Sequence, residues 1–530
     1  MAYLPAAAQD LIAKCCWFLQ SRRKLILGTS VALILALRAL KFMRRPKVDL
    51  HACFGGPNRV SSSKNVYWVF IKHTVSRIVV NLLLIDSIPG VGNFQFPTFG
   101  LLSRERLHRA LEILADTYGG VYCIKIQQVL AERPNTYIRL FNKNNIQPFT
   151  GMVTTEGEKW KRTRRLGAPS FNDVNSAAMV PDMTRVAKKL VRQLRVLSQD
   201  GRIVWSPTEW IPLCTLDTLC VTCFGNDYNF LNPDGVALGR SPREIQRALR
   251  DTIVGSGHAS MLSNFPWMTR DRFPWNLNPF IKKLHLGVER LNELCDEIAS
   301  KREAERQAGV QAARQDLLDK LMDIDREDLR GNIITFFIAG GDTAASAVAW
   351  CLYYLCLNPC IQSKARAEVD ALGRDPETMT DVDELPLVEC CVLEALRLQP
   401  PTVMILLESI TETSLNGKTI PSGTAVVTLL RKAMVQESQG GTIFKPERWL
   451  THDGSAVDRL RTREHLAFGG GPRQCPGQRM AIIETTIIVT LILRHFNDLR
   501  FRNSSESVRG EMMFNYGPKN LELVMFPRHH

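Results

Sequence analysis

One cysteine in this chain stands where its sulfur could serve as a metal ligand. Cys475 follows Phe468-Gly469-Gly470-Gly471-Pro472-Arg473-Gln474 and precedes Pro476-Gly477, beyond which an apolar helix is expected from about Gln478 to Phe496. At the start of a helix, unpaired backbone N–H groups and the helix dipole favour a thiolate. The glycines let the backbone pass close to a flat object with no side chains in the way. Arg473 offers a guanidinium fork suited to a carboxylate. These residue types suit a thiolate on haem iron, with Arg473 on a haem propionate. The competing reading is a turn around a buried cysteine. A nucleotide-binding loop fits less well, since neither G-x-G-x-x-G nor G-x-x-x-x-G-K-[ST] occurs here.

Other chemistry-bearing groups lie far from this loop in sequence. Trp160 and Arg164 are four apart in a basic stretch, Thr154 to Phe171, and would share a helix face. Taken alone, such a run is usually a solvated face. Asp342 and Thr343 interrupt a long apolar run, where a carboxylate beside a hydroxyl could relay protons in a dry pocket. Glu394 and Arg397 are three apart, a spacing that by itself usually means a surface pair. Arg448 follows in Phe444-Lys445-Pro446-Glu447-Arg448-Trp449.

The elements expected to carry these groups are mostly helical. Helical periodicity runs over Arg104–Tyr118, Val180–Leu197, Trp210–Phe224 and Leu329–Leu357, while Val121 to Gln127 alternates like a strand. The Leu329–Leu357 run could cross a bilayer, but Asp342 at its centre and Gly340-Gly341 favour a buried core helix. Leu262 to Phe280 reads as a loop carrying Phe265, Trp267, Phe273 and Trp275, and Arg302 to Gln315 as a solvated polar segment. Cys220 and Cys223 form one C-x-x-C without a second pair to complete a zinc site, so core packing is expected.

The 530 residues hold 45% hydrophobic and 23% charged residues, the balance of a globular protein with ample core. A net charge of +14 is spread along the chain, which argues against nucleic-acid binding. Fourteen cysteines in a chain this long read as thiols, not a disulfide framework. Leu25 to Leu37 is uncharged, and if Arg38 snorkels the stretch reaches Met43, about 28 Å of helix. No small-residue cleavage site follows, so an uncleaved single-pass anchor over residues 1–45 is expected. Charge on its two sides is balanced and does not set its orientation. Val66 to Ile88 is apolar but interrupted by charge, which suits an interfacial helix. With the hinge Pro89-Gly90-Val91-Gly92, residues 46–98 make a juxtamembrane segment, and 99–530 the catalytic body.

The loop from Phe468 through Gly471, Arg473 and Cys475 to Gly477 resembles the haem loop of the cytochromes P450. The chain shares four further features with that family in the same order: Trp160 with Arg164, Ala339-Gly340-Gly341-Asp342-Thr343, Glu394 with Arg397, and the segment containing Arg448. The resemblance covers roughly Ser103 to Arg528, and the anchor is similar to that of eukaryotic microsomal members. It implies a mainly α fold with a smaller β region around a buried haem b, with Cys475 as the iron's axial ligand. Trp160, Arg164 and Arg473 would hold the propionates, and Glu394, Arg397 and Arg448 would brace the loop. The small residues before Asp342 would leave room for oxygen, with Asp342 and Thr343 managing protons. The implied activity is monooxygenation of a lipophilic substrate at the endoplasmic reticulum membrane. Electrons would come from a separate NADPH-dependent flavoprotein reductase, with cytochrome b5 as a second donor. A haem-thiolate isomerase or dehydratase, or a membrane-tethered haem protein with impaired turnover, are the alternatives. Three departures stand out: Leu406-Leu407-Glu408 replaces a run in which the family usually carries a propionate-binding arginine, Cys123 to Trp160 is short, and Arg431 to Phe444 lacks an aspartate–proline turn.

Overall fold

Proline marks where many of the helices start, since its fixed φ and missing N–H cost nothing in a first turn. The computed structural model describes residues 126–139, 147–232, 240–261, 279–310, 316–415, 418–436, 440–512 and 515–528. In chain order these form α1 (Ile126–Ala131), β1 (Tyr137–Arg139), α2 (Gly157–Gly167), α3 (Asp173–Ala178), α4 (Val180–Val196), β2 (Ile203–Trp205) and α5 (Pro207–Phe224). Next come α6 (Pro242–Met261), α7 (Pro279–Gln307), α8 (Leu317–Leu321), α9 (Arg326–Leu357), α10 (Pro359–Leu372), α11 (Met379–Asp383) and α12 (Pro386–Leu398). Strands β3 (Ile405–Ser409), β4 (Thr413–Leu415), β5 (Lys418–Ile420) and β6 (Ala425–Thr428) precede α13 (Leu430–Met434) and α14 (Gln478–His495). The chain closes with β7 (Phe496–Phe501), β8 (Arg509–Met512), β9 (Tyr516–Lys519) and β10 (Leu523–Pro527).

Helices α5, α9 and α14 are apolar on nearly all sides, so each must be surrounded by protein. Helix α9 starts where Asp325 accepts from the Asp328 N–H at 3.0 Å, and it runs without a proline to Asn358. It packs against α5, α7, α12 and α14. Among the described residues it is the one helix long and apolar enough to cross a membrane, but 72% of that apolar window is buried in the protein. It is therefore the core helix the sequence suggested. Truncating a fully buried residue here, such as Leu352→Ala, costs about 2–5 kcal/mol.

The β structure is small and peripheral to this helical core. Strands β1, β3 and β6 form one antiparallel sheet in that order, and β2, β10 and β7 another; β4–β5 and β8–β9 are hairpins. Tyr137, Ile138 and Arg139 pair with Ser409, Glu408 and Leu407. This short register fixes β1 beside the run Leu406-Leu407-Glu408.

Some expectations are corrected. Ile126 and Gln127 open helix α1 and do not end a strand, because Ile126, Val129 and Leu130 bury one helical face. Phe280 belongs to α7, not to a loop. Arg302 is not solvated: it is buried near the end of α7, with Nη2 2.7 Å from Asp316 Oδ2 and Nε 3.1 Å from Glu305 Oε2. Cys220 and Cys223 are buried in α5. The anchor, the juxtamembrane segment and hinge, the Arg104–Tyr118 helix, residues 121–125 and the Phe265–Trp275 aromatics lie outside the described residues.

Candidate active site

Position 471 shows why the loop before Cys475 needs glycine. Gly471 has φ +66°, and a side chain there would run into the Leu130 carbonyl of α1. The loop therefore rests on α1 through bare backbone. It then closes on itself, with the Cys475 N–H donating to the Phe468 carbonyl at 3.0 Å and Gln474 N–H to Gly471 O at 3.0 Å.

Cys475 is an exposed residue, but neighbouring protein atoms crowd its sulfur. Burial pushes its thiol upward, opposed by a hydrogen bond from the Gly477 N–H and by the charges of Arg164 and Arg139. The helix-terminus effect expected from sequence is thus present as that Gly477 bond, but burial outweighs it. Helix α14 proper begins only at Gln478.

Around this thiol stands a concentration of positive charge. Arg473 is 8% exposed, lies 4.0 Å over the Trp160 ring and donates to the Thr155 carbonyl at 2.8 Å and to the Met152 carbonyl at 3.3 Å. It also pairs with Glu156. Burial pulls its guanidinium down to about 10, opposed by Glu156 and aided by Arg139 and Arg164. Arg133, in the turn after α1, is 2% exposed and is pulled down to about 9, by burial first and then by Arg139 and Arg473. Arg139 and Arg164 are lowered as well, by burial, and both sense Cys475. The sequence singled out Arg164 and Arg473 but missed Arg133 and Arg139. Neither sits in a motif, and only the fold brings them here.

The family of side chains fits haem. Arg133, Arg139 and Arg473 all sense the Glu156 carboxylate, and among the described residues Arg133 Nη2 and Arg473 Nε are buried without an acceptor. Such groups are costly unless anionic oxygens meet them, and the two carboxylates of a haem would do so beside an accessible thiol.

On α9, Thr343 Oγ1 donates to the Ala339 carbonyl at 2.5 Å, and Asn515 Nδ2 donates to the Asp342 carbonyl at 2.8 Å. Burial pushes the Asp342 carboxyl up to about 6, opposed by the charge of Arg250 on α6. Gly340 and Gly341 serve packing: Cβ atoms there would lie 3.0 Å from Leu219 Cδ1 and 2.7 Å from Leu216 Cδ2 of α5. The room these two glycines make is taken by a helix, not left for a ligand. Thr215 of α5 donates to the Gly341 carbonyl at 2.6 Å across the same contact.

The third group of sequence candidates is fully assembled. Glu394 is completely buried and accepts from Arg397, from Arg448 Nε at 3.0 Å, from the Lys445 N–H at 2.9 Å and from Trp449 Nε1 at 2.9 Å. Arg397 also donates to the carbonyls of Met434 and Gly441, each at 2.8 Å. The indole of Trp449 was not foreseen as a partner. His465, kept neutral by burial with its pKa near 4, sits with Nε2 2.9 Å from the Leu393 carbonyl, joining α12 to the loop of Cys475.

A helix-rich body with small sheets, a cysteine loop laid on bare backbone and a cationic cradle beside the thiol together define a haem-thiolate enzyme. The sequence matches the Cytochrome P450 family model over residues 89–523, and the chain belongs to that family of monooxygenases. It is 28% identical over 381 residues to cytochrome P450 4d1 of Drosophila melanogaster, covering 67% of this chain and 72% of that protein. It is 26% identical over 409 residues to cytochrome P450 4c21 of Blattella germanica, with 72% and 77% covered. Cytochrome P450 4V2 of Pongo abelii is 27% identical over 373 residues, with 65% and 68% covered.

Proposed function

We propose that this chain is a membrane-anchored haem b monooxygenase that inserts one oxygen atom from O2 into a lipophilic substrate such as a fatty acid, sterol or terpenoid. The observation that carries this reading is Cys475 on a glycine loop laid against α1 by bare backbone, beside Arg473 and the buried Arg133, whose Nε and Nη2 atoms meet no acceptor among the described residues. A haem bound through a cysteine thiolate supplies dioxygen activation. Every other part belongs to the chain. Cys475 holds the iron; Trp160, Arg164 and Arg473 hold propionates; Phe468, Gly471 and Gly477 give the loop its shape; Glu394, Arg397 and Arg448 brace it. Thr343 and Asp342 hold and pass protons, a task suited to a carboxyl whose pKa lies near 6. The apolar run Val403-Met404-Ile405-Leu406 would border the pocket, which favours a substrate of low polarity.

Electrons are assigned to a separate NADPH-dependent flavoprotein reductase, with cytochrome b5 as an auxiliary donor, and the basic balance of the chain suits acidic partners. Residues 1–45 are assigned as a single-pass anchor in the endoplasmic reticulum membrane, with residues 99–530 as a cytoplasmic catalytic body. The reading is tested by the carbon monoxide spectrum of the reduced protein and by turnover with reductase and NADPH over a panel of lipids. A red-shifted Soret band lost in Cys475→Ala, with NADPH-dependent product, supports it. An unshifted band refutes the thiolate assignment, and turnover needing neither NADPH nor O2 makes the chain an isomerase or dehydratase.

A further inference from the structure

Helix α9 carries Gly340 and Gly341 immediately ahead of Asp342. A glycine inside a helix loosens it by roughly 0.5–1 kcal/mol relative to alanine. Successive residues of a helix turn through about 100°, so the Gly341 and Asp342 carbonyls lie at different angles around the axis. Each is nonetheless held by a donor from outside the helix. Thr215 of α5 donates to the Gly341 carbonyl at 2.6 Å, and Asn515 Nδ2, just before β9, donates to the Asp342 carbonyl at 2.8 Å. A carbonyl has two lone pairs, so it can take such a donor beside its own helical N–H.

Asn515 is itself firmly seated. It is buried, and its amide also reaches Ser346 Oγ at 2.8 Å. The Asp342 carbonyl can only accept, which sets the NH2 end of the amide toward α9. The next residue, Tyr516, is pinned in three ways. Its N–H donates to the Pro401 carbonyl at 2.7 Å, its carbonyl accepts from Trp350 Nε1 at 3.1 Å, and its ring stacks on Trp350 with centroids 5.6 Å apart. Asp342, Ser346 and Trp350 follow one another at four-residue spacing, so a single face of α9 carries all of its contacts to this segment. Gly517 lets β9 lie this close, since a Cβ there would stand 3.1 Å from Ser346 Oγ.

We propose that Asn515 is a positioning residue for oxygen activation: it holds the Asp342 backbone while Thr215 holds that of Gly341, and together they fix where α9 presents the Asp342 and Thr343 side chains. This rests on the proton roles given to those two residues above. Asn515 itself touches neither substrate nor proton, and acts only through the backbone it holds.

The test uses full-length holoprotein with two readings. One is the infrared C–O stretch of the reduced carbon monoxide complex, which senses polar groups beside the bound gas. The other is peroxide released per NADPH with the lipid panel above. Asn515→Leu removes both donors at similar volume. It should keep the red-shifted Soret band, shift or split the C–O stretch, and release roughly twofold to tenfold more peroxide, the worth of one neutral hydrogen bond. Ser346→Ala spares the bond to Asp342 and should leave both readings as they are. In a protein already carrying Asp342→Asn and Thr343→Ala, Asn515→Leu should add nothing further, because its effect runs through those side chains. Thr215→Val should act in the same direction as Asn515→Leu, and it carries the test if Asn515→Leu does not retain haem. Unmoved readings in Asn515→Leu and Thr215→Val overturn the proposal. So does an effect of Ser346→Ala as large as that of Asn515→Leu, or an undiminished effect of Asn515→Leu in the Asp342→Asn, Thr343→Ala background. If that background itself leaves peroxide unchanged, the proton roles have failed, which is a separate result.

Discussion

Arg397 sets its guanidinium squarely on the Glu394 carboxylate, with Nε 2.9 Å from Oε2 and Nη2 2.9 Å from Oε1. Both residues are buried, and Arg397 spends its remaining donors on backbone carbonyls that lead toward the Arg448 segment. Removing one partner strands a buried charge. Arg397→Ala should cost about 3–5 kcal/mol and lower haem content sharply. Arg448 is partly exposed, so Arg448→Ala should cost less. Thermal unfolding and haem content of the two variants, compared side by side, check the order; equal and small effects would remove the brace.

Thr343 and the Ala339 carbonyl are joined at 2.5 Å, which holds the hydroxyl in one orientation. Thr343→Ala should keep the thiolate spectrum, because the residue lies on a different element from Cys475. It should divert electrons from product into hydrogen peroxide, measured against NADPH consumption. Thr343→Ser should recover most of the coupling. Unchanged coupling in Thr343→Ala would mean that another group carries the protons.

Two glycines of the same loop should respond differently. Gly469 has φ +73° and ψ −149°, a region used essentially by glycine alone, with nothing within 4 Å of an added Cβ, so Gly469→Ala meets backbone strain alone, about 1–3 kcal/mol. Gly471→Ala adds a collision with the Leu130 carbonyl, which cannot step aside as a side chain could. Haem incorporation should survive the first change and fail in the second. Equal haem content in both would show that α1 can retreat from the loop.

Glu484 of α14 gives a pH dependence with a definite sign. Burial pushes its carboxyl up to about 8, eased by a hydrogen bond with Thr218, and Oε1 has no partner among the described residues. The unfolded chain releases this proton near the ordinary 4.5, whereas the folded chain keeps it until about 8. Between those values the unfolded state binds fewer protons, so stability falls as pH rises and levels off above about 8. Glu484→Gln should remove that decline: its melting temperature should exceed that of the unmutated protein at pH 8 and converge with it near pH 4.5. A gap that does not change with pH would contradict this.

The residues legible in sequence were those whose types recur at fixed local spacing. Cys475 with its glycines, Glu394 with Arg397, and the long unbroken run of α9 all announce themselves within a few positions. What stayed hidden depends on neighbours brought from elsewhere. Arg302 looked solvated because its partner Asp316 comes only after the helix has ended. Trp449 carries no mark that its indole will meet Glu394. The alternation that ends at Ile126 and Gln127 suggests a strand, because a short alternating stretch cannot be told from one turn of an amphipathic helix. Arg133 and Arg139 are ordinary surface-type residues until α1 and β1 fold against the loop.

The bond between Arg473 and the Met152 carbonyl joins residues 321 positions apart. During synthesis, the early half of the cradle must wait for nearly the whole polypeptide before its counterpart leaves the ribosome. Contacts so remote in sequence pay their loop-closure entropy before they return any stability. Closure of the Cys475 loop onto the early helices is thus tied to late translation. A chain interrupted before Arg473 would leave α1 and α2 without the loop that carries Arg473 and Cys475.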